Sequence, residues 1–292
     1  MKYIDFLQVT VIKLEPVIKI IMFFLILILL LGLLSIKEKI VSYTVVSSKI
    51  KHNIKLVLIT DLHSCWYGKN MHTLIEEIKS EDPDVVLMGG DIYNDEKSES
   101  NNTEIFLKQI SSLYKCYFVT GNHDSGINMF TDINDVKKEI KDYGITLLDG
   151  CSDTIEIHGQ EINMCGVDDP NIASNSFCNQ LDNTAKVCDN GNYSIFLSHR
   201  PELINKYLKY NFDLILSGHA HGGQWRIPKL LNGLLAPHQG FFPKYAGGRY
   251  DFKNACFIVS RGLARESTPV PRIFNNPEVV VININPKTID KN

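Results

Sequence analysis

The stretch Ser217-Gly218-His219-Ala220-His221-Gly222-Gly223-Gln224 decides how the chain is read. The apolar run Phe212 to Leu216 precedes it, so two histidines one residue apart stand where a buried strand opens into a glycine-lined turn. Imidazoles presented from such a turn suit a metal ion, although a lone His-x-His also describes two ordinary loop histidines. Three other strand ends carry matching chemistry. Asp61-Leu62-His63 follows Leu56 to Thr60, Gly90-Asp91 follows Val85 to Met88, and Gly121-Asn122-His123-Asp124 follows Tyr117 to Thr120. His199, in Leu197-Ser198-His199-Arg200-Pro201, adds a further position. Each lies at or just past the carboxyl end of a predicted strand, where α/β sheets bind ligands. The distribution argues for one shared site that holds five of the nine histidines. His52, His72, His158 and His238 lack this context and read as surface or loop residues.

The surrounding pattern predicts a layered α/β (α+β) fold. Strand-like Lys55 to Thr60, a helical segment near Lys69 to Ser80, strand Asp84 to Gly89, a helix near Thr103 to Leu113 and strand Cys116 to Thr120 alternate, as helices covering a sheet do. Asp153 to Ile157 and Glu161 to Cys165, separated by His158-Gly159-Gln160, read as a hairpin. Strand Tyr193 to Leu197, a helix opened by Pro201, and strands Asp213 to Leu216, Ala255 to Ser260 and Glu278 to Ile284 complete the chain.

The 292 residues, 44% hydrophobic and 22% charged, suffice for a sizeable core. A net charge of -3 gives no broad basic field, which disfavours nucleic acid as a partner. The seven cysteines are scattered without C-x-x-C spacing and lean towards a reducing compartment.

From Val17 to Ile36 the sequence is apolar apart from Lys19 and Ser35, a length that would span a bilayer as a helix. The run is longer than a signal-peptide core, and Ser35-Ile36-Lys37-Glu38-Lys39 is a poor cleavage site. The expectation is a single-pass anchor in the cell membrane: residues 1–45 as anchor and charged connector, with the span at about 17–36, and 46–292 as the catalytic domain. Lysines flank both ends, so orientation rests on the cysteines, which favour the cytoplasmic side.

The ordered set D-x-H, G-D, G-N-H-D, an isolated H and G-H-x-H resembles the calcineurin-like metallophosphoesterases over about Ile54 to Ile284. The apolar anchor, the Gly222-Gly223-Gln224 extension and the tail from Ser260-Arg261-Gly262-Leu263 to Asn276-Pro277-Glu278 are similar to the membrane-associated bacterial branch of YaeI- and YkuE-like phosphoesterases. The resemblance implies a β-sandwich flanked by helices and two divalent ions, Mn, Fe or Zn, at the sheet edges. Carried onto this chain, Asp61, His63, Asp91 and His221 would bind the first ion. Asp91 would bridge to a second, held by Asn122, His199 and His219. Metal-activated hydroxide would attack phosphorus, His123 would protonate the leaving alkoxide, and Asp124 would orient the His123 ring or cap its turn.

Arg200 and Arg226 stand out among Arg200, Arg226, Arg249, Arg261 and Arg265 as candidates to grip a phosphate. Between Gly222 and Tyr250, apolar residues including Trp225, Leu230, Phe241 and Phe242 lie among glycines and prolines, either as a packed lid or as a greasy flap beside the metals. Joined to the anchor, the second reading points to a lipid-linked phosphodiester or pyrophosphate. Some members of the resembling families cleave UDP-diacylglucosamine, a candidate by analogy alone. A nuclease or cyclic-nucleotide phosphodiesterase on the same scaffold, and a non-catalytic metal-binding scaffold, are the alternatives.

Overall fold

The computed structural model describes residues 2–33, 37–94, 101–124, 132–265 and 271–287; in the first helix the side chains described are those of residues 15–30. In chain order the first half contains α1 (Lys2–Leu33), β1 (Lys39–Ser47), β2 (Ile54–Ile59), α2 (His72–Glu81), β3 (Val85–Gly89), α3 (Asn101–Leu113), β4 (Lys115–Val119), α4 (Ile133–Asp142) and β5 (Thr146–Leu147). The second half contains β6 (Ser152–Ile157), β7 (Gln160–Gly166), α5 (Pro170–Ala173), α6 (Phe177–Ala185), β8 (Tyr193–Leu197), α7 (Ile204–Tyr207) and β9 (Leu214–Ser217). The short pair β10 (Leu235–Ala236) and β11 (Gly240–Phe241), then β12 (Gly248–Asp251), β13 (Cys256–Val259) and β14 (Glu278–Pro286), complete it.

Two six-stranded sheets, ordered β1-β14-β2-β3-β4-β5 and β12-β13-β9-β8-β7-β6, form a sandwich. Side chains alternate across each strand, so each sheet buries both faces. Leu56, Leu58, Leu87 and Val280 meet Ile162, Ile195, Leu197, Leu216 and Ile258 in the layer between the sheets. Val57, Ile59, Met88 and Phe118 face outward beneath Leu74, Ile78 of α2 and Phe106, Ile110 of α3. On the opposite side Phe196, Ile215 and Phe257 pack beneath Phe177 and Leu181 of α6 and Tyr207 of α7. The expected mixed α/β sandwich flanked by helices is therefore present. Because β2, β3 and β4 run parallel, as do β7, β8 and β9, the carboxyl ends within each set open along one edge.

Two expectations change at the N-terminus. The charged connector, residues 37–53, carries β1, which pairs in parallel with β14 from Lys39↔Glu278 to Ser47↔Pro286. Its Val-Ser-Tyr-Thr-Val-Val run has strand character, but its partner lies at the other end of the chain. The run expected to span a bilayer, 17–36, lies in α1 as far as Leu33, and residues 34–36 fall outside the described ones. Its large apolar side chains from Val17 to Leu30 are exposed. Among the described residues, no helix is long and apolar enough to cross a membrane. What the described residues show in place of a single-pass span is an exposed apolar helix.

Phe196 anchors the helix-covered face of the second sheet, stacking on Phe212 at a centroid distance of 4.2 Å and tilting against Tyr207 at 5.0 Å. Phe196→Ala is expected to cost about 3–5 kcal/mol. In guanidinium unfolding this would appear as a lower midpoint at unchanged slope.

A candidate dinuclear metal centre at the sheet edges

The turns after β2, β3 and β9 present their polar side chains through left-handed backbone. Asp61 (φ 49°), His63 (45°), Asp91 (54°), His219 (66°) and His221 (45°) all adopt it. For non-glycine residues each such conformation costs about 1–3 kcal/mol, which the surrounding structure must offset. Interlaced backbone bonds do so here: Asp61 N donates to Gly90 O (2.9 Å), His63 N to Asp91 O (3.0 Å), Gly218 N to His199 O (3.2 Å) and Leu263 N to Thr60 O (3.0 Å). Glycines leave room for the carboxylates. A Cβ on Gly121 would stand 2.2 Å from Asp91 Oδ1, and one on Gly218 would stand 2.6 Å from Asp61 Oδ2.

The result is two buried groups of side chains joined at one carboxylate. Asp61, His63, Asp91 and His221 form the first, and Asp91, His199 and His219 the second; within each, the ligand atoms lie within 4.8 Å of one another. Asp91 Oδ2 is 3.6 Å from His63 Nε2 and 3.0 Å from His199 Nε2, and His221 Nε2 is 3.6 Å from Asp61 Oδ1. His199 Nδ1 lies 2.9 Å from Gly89 O, which can only accept, so Nδ1 carries the hydrogen and Nε2 turns towards Asp91. Asn122 sits in the same turn as His123, whose backbone N–H donates to Asp91 Oδ1 at 2.8 Å.

The electrostatics point the same way. Burial opposes charge on His199, but Asp91 and Asp61 outweigh it and raise its pKa to about 10. Burial also pushes Asp61 up to about 6, while burial and neighbouring cationic groups pull His219 and His221 down, keeping both neutral. Asp91 Oδ2 is buried without a well-formed hydrogen bond. Buried carboxylates beside two neutral imidazoles and a third that holds a proton form a set in which divalent cations can take the proton's place, and the carboxylate, imidazole and amide mixture suits divalent transition ions.

The calcineurin-like phosphoesterase family matches residues 54–223, more than half of the chain. The chain belongs to that family. It is 29% identical over 253 residues to an uncharacterized metallophosphoesterase of Campylobacter jejuni, covering 82% of this chain and 61% of that protein. It is 27% identical over 192 residues to another from Helicobacter pylori, covering 64% and 50%. With metallophosphoesterase YkuE of Bacillus subtilis it shares 26% over 250 residues, covering 83% and 84%. The chain thus spans about half to three-fifths of the first relatives it matches.

Around this phosphoesterase centre the remaining expected residues take distinct places. His123 is half-buried, and its ring meets that of His63 edge-on at a centroid distance of 4.7 Å. Asp124 is buried in the same turn. Both its oxygens are used by backbone: Oδ2 accepts from Gly121 N (2.7 Å) and Asp91 N (2.8 Å), and Oδ1 from Tyr93 N (2.9 Å) and Ile92 N (3.0 Å). It ties the turn after β4 to the turn after β3.

Arg200 is buried, its guanidinium forked onto Asp169 and its NH1 directed at His219 and His238. It faces protein groups on both sides, not an open phosphate position. Arg226 turns away, donating to Gly222 O and Asn232 Oδ1. Arg249, Arg261 and Arg265 pair with Asp251, Glu278 and Glu38. His238 is exposed in irregular chain, as expected, yet its Nδ1 also reaches the centre, 2.9 Å from His219 Nε2. Asp169 was legible in principle, since it follows the end of β7 as the other site residues follow their strands. His238 stands in irregular chain with no local signal.

Asp124→Asn would turn an amide NH2 towards backbone donors in place of an acceptor. With one carboxylate oxygen facing two N–H groups, the substitution should cost about 3 kcal/mol or more. Thermal unfolding would register this as a lowered Tm, and an unchanged Tm would contradict the tying role.

Proposed function

We propose that the chain is a metal-dependent phosphoester hydrolase acting on a phosphodiester or pyrophosphate. The observation that carries the reading is the convergence of two buried ligand groups on the single carboxylate of Asp91. Asp61, His63, Asp91 and His221 would hold one divalent ion, and Asp91, Asn122, His199 and His219 the second. Such ions act as Lewis acids and supply hydroxide near neutral pH. His123 would protonate a leaving alkoxide, a role that its half-buried position beside His63 supports. Arg200 and Asp169 brace the imidazoles from behind.

The surface near the centre supports a reading of the substrate class. Trp66, Trp225, Ile227, Leu230, Phe241 and Phe242 are exposed. Gly32, near the end of α1, packs against Ile273, and Ile273 bridges to Trp225. The exposed apolar helix therefore leaves the domain beside the exposed apolar flap. This supports attachment of the chain to a membrane through α1, and a lipid-linked substrate of the UDP-diacylglucosamine type. The catalytic unit in this reading begins at β1.

Chelation should abolish hydrolysis of a chromogenic phosphodiester, and added Mn²⁺ should restore it. A folded, metal-loaded chain inactive towards both that substrate and a lipid-linked pyrophosphate would favour a non-catalytic scaffold. His123→Ala should lower kcat by about 10²–10⁴-fold, with two ions per chain still found by elemental analysis. Loss of an ion instead would make His123 a ligand.

Metal affinity should depend on pH with a definite sign. An ion bound at His199 must displace the proton that the carboxylates hold there up to a pKa of about 10. Affinity should then fall about tenfold per unit from pH 9 to 7. It should fall more steeply below pH 6, where Asp61 also takes up a proton. Isothermal titration across this range tests it; an affinity flat with pH contradicts it.

A further inference from the structure

His238 lies in the irregular segment beyond the His-x-His turn, in left-handed backbone (φ 56°), and reaches the candidate metal centre from outside the strand ends that supply the other residues. Its Nδ1 stands 2.6 Å from Arg200 NH1 and 2.9 Å from His219 Nε2, with the two imidazole rings 5.1 Å apart. Arg200 NH1 is also 3.2 Å from His219 Nε2.

A guanidinium has donors only, and of the two His238 ring nitrogens Nδ1 is nearer to Arg200 NH1, at 2.6 Å against 3.2 Å for Nε2, so Nδ1 is the acceptor. Two bare ring nitrogens 2.9 Å apart would repel, so His219 Nε2 carries a hydrogen and donates it to His238 Nδ1, and the longer approach of Arg200 NH1 to His219 Nε2 is then a contact without a hydrogen bond. That leaves His219 Nδ1 bare towards the second ligand group, where it lies 3.1 Å from His199 Nε2. Remove His238, and Arg200 NH1 has His219 Nε2 as its nearest acceptor on that side. Nε2 would then be bare, the hydrogen would move to Nδ1, and an N–H would point where a ligand lone pair is needed. Glu202 also converges with His219 and His238, but Arg200 NH1 stands 3.6 Å from its carboxylate, so a fixed cation already fills that corner.

We propose that His238 is a positioning residue: it intercepts the Arg200 donor and thereby selects the His219 tautomer that can bind an ion. It also links the flap to the second ion site, since the residue that sets the tautomer is carried by the flap. This rests on the dinuclear reading above, and the test separates the two. His238 is solvent-exposed, so its replacement leaves the core intact. Asn offers Oδ1 near the position of Nδ1, whereas Ala offers no acceptor.

In the full-length, chelator-stripped chain, ¹⁵N NMR of the imidazoles should find the hydrogen of His219 on Nε2 in the parent and in His238→Asn, and on Nδ1 in His238→Ala. Titration with Mn²⁺ should then give two ions in the parent and in His238→Asn. In His238→Ala the first ion should bind as in the parent and the second about 10–100-fold more weakly. The same tautomer in all three chains, or equal impairment of the Asn and Ala variants, overturns the proposal. A parent that shows the expected tautomer but binds no Mn²⁺ overturns the dinuclear reading and, with it, the metal role of His238.

Discussion

Two carboxylates buried at the rim of a sandwich core constrain everything around them. Asp61 and Asp91 are fully buried, and burying a carboxylate without compensation costs several kcal/mol. The chain answers with imidazoles, backbone N–H groups and a guanidinium at Arg272, whose NH2 is fixed by carbonyls of the adjoining turn. Burial and nearby Arg261 lower the pKa of that Arg272, to about 10, while Asp61 works to keep it charged. In the absence of an ion, His199 holds a proton among these charges. A site arranged in this way gains stability when cations replace protons, and binding and folding are linked.

That constraint reaches into the fold through the turns. Five of the charged and imidazole positions are in left-handed backbone, which a solitary turn would relax. They persist because each turn is bonded to the next: the one after β2 to the one after β3, and that one through Asp124 to the turn after β4. Parallel pairing within each sheet is the deeper cause, because it brings the carboxyl ends of successive strands to one edge. The antiparallel strands at the outside, β6 and β12, contribute no residue to either ligand group.

The imidazoles have a second layer of support that runs from Asp169 through Arg200 to His238 and His219. Arg200 was read as a phosphate grip because it adjoins a ligand in sequence. Adjacent residues on a turn can face opposite ways, and this one faces inward onto a buried carboxylate. The apolar flap is divided similarly. Ala236 and Tyr245 pack against the core, while Leu230, Phe241 and Phe242 stay exposed, so part of the segment is a lid and part is surface.

The six side chains that converge at the sheet edges, Asp61, His63, Asp91, His199, His219 and His221, were legible as candidates because each follows a short apolar run with strand character, and parallel strands give their ends a common address. The layered α/β architecture was legible for the same reason, since alternating helices and strands leave few arrangements that cover a sheet; the pairing of two sheets into a sandwich was implied by the family resemblance. What lay beyond the sequence were pairings between distant segments without a local pattern. The place of β1 was hidden because a largely exposed strand, whatever its local strand character, is fixed in the sheet by β14, more than 200 residues away. His238 and the partners of Asp124 were hidden because a hydrogen bond depends on where side chains point after the turns close. Sequence spacing specifies which groups can reach a site; only the closed tertiary structure decides which atom of each group faces which neighbour.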